Sequence, residues 1–187
     1  MGVTIHYAVG TQKANVKKTL DRAETMAREI PGAAQKASIP MTVERESDFA
    51  LRVDIGECET LAFRFETIQE RAERSAWQAS YLATHFSDKA LTGNEEHLAR
   101  WPMQRLYWAS GFCKTQFAKS VAEHRMVAEL VRVVAGLCEH VYVYDEGDYY
   151  HTGDIADAEG AIAENGAMIN GIAGMLTGMG YEGRKGG

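Results

Sequence analysis

The chain has 187 residues, of which 45% are hydrophobic and 25% charged, as is typical of globular domains. Its net charge of −6 argues against a nucleic-acid backbone as the main partner, because phosphate binding needs clustered Lys and Arg. The sequence shows no membrane-spanning stretch, no signal peptide and no close cysteine pair, so we expect a cytoplasmic protein with reduced thiols.

The first third of the chain is predicted to contain four strands and one amphipathic helix. Apolar residues alternate near the N-terminus, and a helical stripe then runs from Val16 to Ile30 and ends at Pro31. Two further alternating segments flank the turn at Gly56, which predicts an antiparallel hairpin. The predicted strands are 3–9, 41–46, 49–55 and 61–65, and the predicted helix is 16–30.

The rest of the chain is predicted to alternate helices and strands. Capping-box spacings occur at Thr67 and Glu70 and again at Ser120 and Glu123, and Asp154 is a suitable N-cap residue. The predicted helices are 68–86, 120–138 and 154–179, the predicted strands are 106–112 and 141–144, and residues 87–104 are predicted to form a connection.

This order of elements predicts an α+β fold. We expect a mixed β-sheet with an antiparallel hairpin and a strand–helix–strand unit, with about four helices packed on it. A single domain should span residues 1–180, followed by a flexible tail at 181–187.

The first candidate site follows the predicted strand 106–112, where Cys113 and Lys114 precede the helix capped by Ser120. Strand ends and helix N-termini often bind ligands and anions, and a neighbouring lysine favours the thiolate form of a cysteine. His124 lies one turn into the helix, where it could act as a base toward Cys113. The alternative is that both residues are buried structural side chains.

The second candidate site is the acidic turn after the last predicted strand. Three carboxylates and an imidazole occur within seven residues here, between Asp145 and His151. Their spacing matches neither an EF-hand loop nor an H-E-x-x-H motif, so we predict no metal site, and the sequence identifies no cofactor. A carboxylate in this turn could orient a base or hold a polar substrate. The alternative is a solvated turn around Gly147.

A strand–helix–strand crossover would bring the two candidate sites into one pocket if their strands are parallel neighbours. Whether the pocket is catalytic stays open. In an enzyme for acyl transfer or hydrolysis of a small acidic substrate, Cys113 would be the nucleophile and His124 the base. Asp145 or Glu146 would orient that base, and Lys114 would contact the oxyanion. The other predicted ligand-binding residues are Gln116, Asp148 and Tyr149.

The alternative function is a non-catalytic protein-interaction or homodimeric module that uses the glycine-rich C-terminal helix. Apolar residues recur with heptad-like spacing between Ile155 and Met179, and Asn165 lies on this seam. Five glycines interrupt the helix, and each costs about 0.5–1 kcal/mol relative to alanine, so close backbone packing should compensate. The expected partner is therefore a small polar molecule or a second copy of the chain.

Overall fold

The computed structural model describes residues 3–29, 39–74, 106–115 and 120–178. The predicted α+β fold is confirmed, and every predicted strand is present. The predictions for residues 30–31, 75–86 and 87–104, for Gln116 and for the tail at 181–187 lie outside the described residues. The elements are β1 (Thr4–Thr11), α1 (Lys13–Glu29), β2 (Met41–Ser47), β3 (Ala50–Ile55), β4 (Leu61–Arg64), α2 (Ile68–Arg74), β5 (Tyr107–Lys114), α3 (Val121–Ala135), β6 (His140–Asp145), α4 (Tyr149–Thr152) and α5 (Ile155–Gly178).

The strands form two three-stranded sheets, ordered β5-β1-β6 and β2-β3-β4. Every strand pair recorded among the described residues is antiparallel. In the strand–helix–strand unit β5–α3–β6, both strands therefore run in the same direction, but β1 lies between them. The two strands are not neighbours, because the N-terminal strand pairs with both of them.

The two sheets are joined where β4 and its flanking residues meet β5. Glu66 and Trp108 exchange two backbone hydrogen bonds of 3.1 and 2.8 Å. At the other end of β5, the amide of Glu59 donates to the carbonyl of Lys114 at 3.0 Å. The backbone pairing thus extends from one sheet into the other at both ends of this junction.

The middle of the junction depends on Tyr7, which lies on β1. Its hydroxyl crosses β5 and donates to the carbonyl of Ala62 on β4, at 2.6 Å. Gly111 leaves the space for this crossing, because a Cβ atom at that position would lie 2.9 Å from the Tyr7 hydroxyl. A side chain at position 111 would therefore have to displace the Tyr7 hydroxyl from this crossing.

Helices α1 and α3 pack against each other and cover the face of the sheets that carries Ile5 and Val9. The predicted helical stripes are confirmed, since their apolar members are buried. This packing places the start of α3 against the ends of β1, β5 and β6. The buried stripe residues are Val16, Leu20, Ala23 and Ala27 in α1 and His124, Val127, Val131 and Val134 in α3.

One of the two predicted capping boxes forms. The Thr67 amide donates to the Glu70 carboxylate at 2.7 Å, and the Glu70 amide donates to the Thr67 hydroxyl at 3.1 Å. Ser120 makes no side-chain cap hydrogen bond, so the prediction of a second capping box with Glu123 is wrong. The Glu123 carboxylate is buried and instead accepts from the Glu57 amide at 3.1 Å.

Candidate functional site

The two candidate sites lie on opposite sides of β1. Ile5 is directly opposite Cys113 on β5 and directly opposite Asp145 on β6. Residues paired in this way point to the same face of a sheet, so the buried side chain of Ile5 lies between the thiol and the carboxylate. Two strand spacings place the backbones of Cys113 and Asp145 about 10 Å apart.

His124 joins the acidic turn to Thr115, the residue that follows β5. Its Nε2 atom lies 3.2 Å from the Asp145 carboxylate, and its Nδ1 atom lies 2.7 Å from the Thr115 hydroxyl. The carboxylate only accepts, so Nε2 carries the proton of that contact. The Thr115 hydroxyl also lies 3.2 Å from the carbonyl of Val3, as a donor. We call Thr115, His124 and Asp145 the buried network.

The buried network has the hydroxyl–imidazole–carboxylate order of hydrolytic triads. However, the side chains of Thr115 and His124 are completely buried, and Asp145 is almost so. A nucleophile must reach its substrate, whereas this hydroxyl is held against the backbone of Val3, just before β1. The geometry therefore favours a structural role, in which the network fastens the start of α3 to the ends of β1 and β6.

Asp145 is the most heavily used acceptor of the buried network. Besides the imidazole of His124, it accepts the amide of Gly147 on Oδ1 and that of Tyr150 on Oδ2, both at 2.8 Å. Burial raises the pKa of Asp145, but the hydrogen bond and charge of His124 together with the two amides outweigh it and hold the pKa below its ordinary value. The acidic turn thus folds around an ionised, buried carboxylate.

Cys113 is not connected to the buried network by the hydrogen bonds of the described residues. Its thiol donates to the carbonyl of Glu59 at 2.9 Å, and both ring nitrogens of His124 contact Thr115 and Asp145. Burial, followed by the neighbouring Cys58 and Glu59, raises the pKa of the Cys113 thiol. This increase is opposite to the lower pKa that the neighbouring Lys114 led us to expect. The nucleophilic role of Cys113 stays a prediction that this geometry does not support.

The other predicted site residues are dispersed. Lys114 lies on the opposite face of β5 from Cys113, where its ammonium group is 3.3 Å from the Glu59 carboxylate. Asp148 is exposed and occupies the left-handed region with φ 59°, which Asp tolerates better than most residues. Tyr149 is buried edge-on against His124 and donates its hydroxyl to Glu129 at 2.8 Å. Gln116 lies outside the described residues.

Glu146 is exposed and lines a cleft of about 410 Å³ between the end of β6 and the middle of α5. We call it the α5 cleft. Its volume falls within the range of small-molecule sites, roughly 300–1,000 Å³. Among the described residues that line it, two are carboxylates and none is a cation. The lining residues are Val3, Tyr144, Glu146, Ala161, Glu164, Asn165 and Met168.

Asn165 is the residue of the α5 cleft that lacks a partner. Only 5% of it is exposed, and its side-chain Nδ2 atom has no hydrogen-bond partner among the described residues. A buried amide without a partner costs about 1–3 kcal/mol. The sequence placed Asn165 on a possible dimer seam, but here it is buried within its own chain and faces a cleft with two carboxylates.

Two structurally important residues were missed by the sequence analysis. Thr115 continues the inward-facing series that includes Cys113, so strand alternation could have identified it. Glu123 was interpreted only as a capping residue. Its burial follows from the turn at Gly56, which has a φ of 53° and where a Cβ atom would lie 2.4 Å from the Glu123 side chain. No signal in the sequence indicates that contact.

Comparison of the chain with protein-family models, curated proteins and solved structures finds no significant match. Among the described residues, no group of three or more His, Cys, Asp or Glu side chains could hold a metal ion. Within the same residues, each helix is too short or too polar to cross a membrane. A proposal for function therefore depends on the geometry of the α5 cleft and the buried network.

Proposed function

We propose that the protein is a cytoplasmic, non-catalytic binding protein for a polar small molecule and that the α5 cleft is its binding site. The α5 cleft carries this proposal, because its volume of about 410 Å³ suits a small molecule and its lining includes the exposed carboxylates of Glu146 and Glu164. Glu146, predicted from the sequence to orient a catalytic base in the pocket of residues 113–116 and 145–148, lines this different cleft instead.

The state of the reactive side chains supports binding rather than catalysis. The imidazole of His124 is held on both sides within the buried network. Burial raises the pKa of Cys58 and of Cys138 to about 12, and it raises the pKa of Cys113 as well. A thiol reacts as its thiolate, so none of the three has the acidity of a catalytic cysteine.

Filling the cleft tests the proposal. Ala161 lines the α5 cleft, whereas Ala163 is exposed on the same helix and does not line it. We expect Ala161→Trp to abolish binding of a small polar compound, and Ala163→Trp to leave that binding unchanged. Binding would be measured by native mass spectrometry against a library of amines, carboxylates, sugars and amides. If every compound that binds the wild type also binds Ala161→Trp, the proposal is wrong.

A homodimer formed through the second half of α5 is the second candidate function. From Asn165 to Tyr181 the sequence contains no charged residue, yet Met168 and Met175 are 45% and 68% exposed. Among the described residues, a Cβ atom at Gly171 would meet nothing within 4 Å, so their packing does not explain this glycine. The full predicted seam is not one open stripe, because Ala158 and Asn165 are buried in their own chain.

Sedimentation tests the homodimer. We expect the wild type to sediment as a dimer and Met175→Glu to sediment as a monomer, because a charge would have to be buried in the seam. The matched control is Glu159→Lys, a charge change at an exposed position in the first half of α5. A wild-type protein that is monomeric at high concentration excludes this function.

A further inference from the structure

We infer that a second cleft, at the junction of the two sheets, binds a free α-amino acid with an aromatic side chain. This junction cleft has a volume of about 430 Å³, within the range of small-molecule sites, and none of its described lining residues lines the α5 cleft. It lies between the start of α1, the turn from β2 to β3, the end of β4, α2 and the start of β5. Three features of its lining specify the ligand: a pair of aromatic rings, an ammonium group and a carboxylate.

Two aromatic rings form the apolar part of the junction cleft. Phe49 precedes β3 and Tyr107 begins β5, and their ring centroids lie 5.5 Å apart. Both side chains are only partly buried, so their rings keep accessible surface in the cleft. Aromatic rings attract one another in offset and tilted arrangements. A ligand with a ring of its own would therefore pack well against this pair.

Lys13, the first residue of α1, supplies the ammonium group. Its Nζ atom lies 5.9 Å from the ring centroid of Phe49 and 5.7 Å from that of Tyr107. Lys13 forms no ion pair with the described residues, and an ammonium group has three N–H donors. It can therefore donate to a carboxylate that lies close to the ring of the same ligand.

Glu70, in the first turn of α2, supplies the carboxylate. Its Oε2 atom accepts the amide and the hydroxyl of Thr67, at 2.7 and 2.9 Å, whereas its Oε1 atom accepts no hydrogen bond from the described residues. The hydrogen bonds from Thr67, and after them the charge of Lys13, hold the pKa of Glu70 below its ordinary value. The capping box thus fixes an ionised carboxylate at the cleft and leaves one of its oxygens for a ligand.

The other charged residues of the junction cleft already have partners. Arg64 pairs with Glu46 on β2. Glu66 is buried and pairs with both Arg71 and Arg74. Among the described lining residues, one cation and one carboxylate are therefore left without an ion pair.

The charge of Lys13 influences Glu70, but the two groups are too far apart to form an ion pair. An α-amino acid carries a carboxylate and an ammonium group on one carbon atom, so its carboxylate can accept from Lys13 while its ammonium group donates to Glu70. An aromatic acid or an aromatic amine would leave one of the two charges without a partner. A zwitterion with an aromatic side chain is the ligand that complements all three features.

The test uses matched ligands that differ in one feature each. L-phenylalanine has all three features, phenethylamine lacks the carboxylate, 3-phenylpropionate lacks the ammonium group and L-alanine lacks the ring. Dissociation constants would be measured by NMR titration of the wild-type protein at low ionic strength, because salt screens exposed charges.

We expect L-phenylalanine to bind at least about threefold more tightly than phenethylamine or 3-phenylpropionate, since each lost contact is a partly screened ion pair. L-alanine should bind at least about tenfold more weakly, because it buries no ring. These comparisons do not depend on the folding of any variant. If either single-charge compound binds as tightly as L-phenylalanine, the assignment to a zwitterion is overturned.

Two variants assign the charges to their residues. Lys13→Met keeps an apolar stem and should weaken L-phenylalanine by about threefold without weakening phenethylamine. Glu70→Gln retains the capping box and should weaken L-phenylalanine by about threefold without weakening 3-phenylpropionate. The controls Lys18→Met and Glu73→Gln, exposed on the same two helices and outside the cleft, should have no effect. A variant that weakens all aromatic ligands alike, or none, overturns the role of its residue.

A further variant separates this inference from the proposed function. Ala161→Trp fills the α5 cleft and should leave the affinity for L-phenylalanine unchanged. If it abolishes this binding, the amino acid binds in the α5 cleft, so this inference is wrong and the proposed function stands. If L-phenylalanine does not bind the wild type up to its solubility limit, this inference is wrong whatever the α5 cleft binds.

Discussion

Asp145 and Glu146 are adjacent in the chain, yet they belong to regions with opposite properties. Asp145 belongs to the buried network, where it accepts three hydrogen bonds from His124, Gly147 and Tyr150. Glu146 is exposed and lines the α5 cleft. A buried carboxylate with all its hydrogen bonds stabilises the fold, whereas an exposed carboxylate at a cleft is available to a ligand. Polar residues from one acidic turn can thus serve stability or binding according to their hydrogen-bond partners.

The largest expected effect comes from Asp145→Asn. The amide has one acceptor oxygen where the carboxylate has two, and its NH₂ group faces donors. We expect the free energy of unfolding to fall by about 3 kcal/mol in urea denaturation, as for other broken buried pairs. The matched variant Asp148→Asn, at an exposed position of the same turn, should change it by less than about 0.5 kcal/mol. Equal effects would remove the distinction between the two regions.

Gly147→Ala should destabilise the protein by crowding the buried network. A Cβ atom there would lie 2.9 Å from the His124 ring and 3.3 Å from Asp145, and the ring is held at both nitrogens. Overpacking of this kind costs about 1–3 kcal/mol. At Gly160 in α5, a Cβ atom would meet no described residue within 4 Å, so Gly160→Ala should stabilise the protein by about 0.5–1 kcal/mol. Thermal denaturation of both variants should therefore show shifts of opposite sign.

Acid should weaken the buried network. The pKa of Asp145 in the folded protein lies below its ordinary value, which is about 3.9 for an unfolded chain. Asp145 therefore contributes its full stabilisation above the pKa of the unfolded chain. This stabilisation is lost as the pH falls through the lower pKa of the folded protein. Between pH 6 and pH 3, we expect the urea midpoint to fall further for the wild type than for Asp145→Asn. Parallel decreases would show that Asp145 does not contribute.

The smallest expected effect on stability is that of the cleft carboxylates. Glu146→Gln and Glu164→Gln remove charges from exposed side chains, so each should change the free energy of unfolding by no more than about 0.5 kcal/mol. A destabilisation as large as that of Asp145→Asn would mean that the cleft is part of the structural core. Urea denaturation of the single variants makes this comparison directly.

Local patterns predicted the elements but not all of their interactions. The same capping-box spacing occurs at Thr67 and at Ser120, and only the first box forms. Both sequences contain the hydrogen-bonding groups, but the carboxylate of Glu123 has a competing partner in the turn after β3. A spacing rule describes one helix end, whereas the outcome depends on what tertiary contacts offer the same side chain.

The candidate site shows the same division. Alternation along β6 places Asp145 on the face of Val143 and Glu146 beyond the strand, so the sequence contains the reason that one carboxylate is buried. The sequence could not show that β1 lies between β5 and β6, because strand order depends on long-range pairing. Ile5 consequently separates Cys113 from Asp145, and the sequence-predicted pocket of residues 113–116 and 145–148 is not assembled by the described residues.

The sequence by itself determined the α+β class, the buried stripes of α1 and α3 and the acidic character of the C-terminal quarter, because these follow from the periodicity and charge of neighbouring residues. Tertiary structure alone decided that His124 joins Thr115 to Asp145 and that Asn165 faces a cleft with Glu146 and Glu164. These arrangements bring together residues from different elements of the fold. Their geometry is set by sheet order and helix packing, to which no local pattern refers.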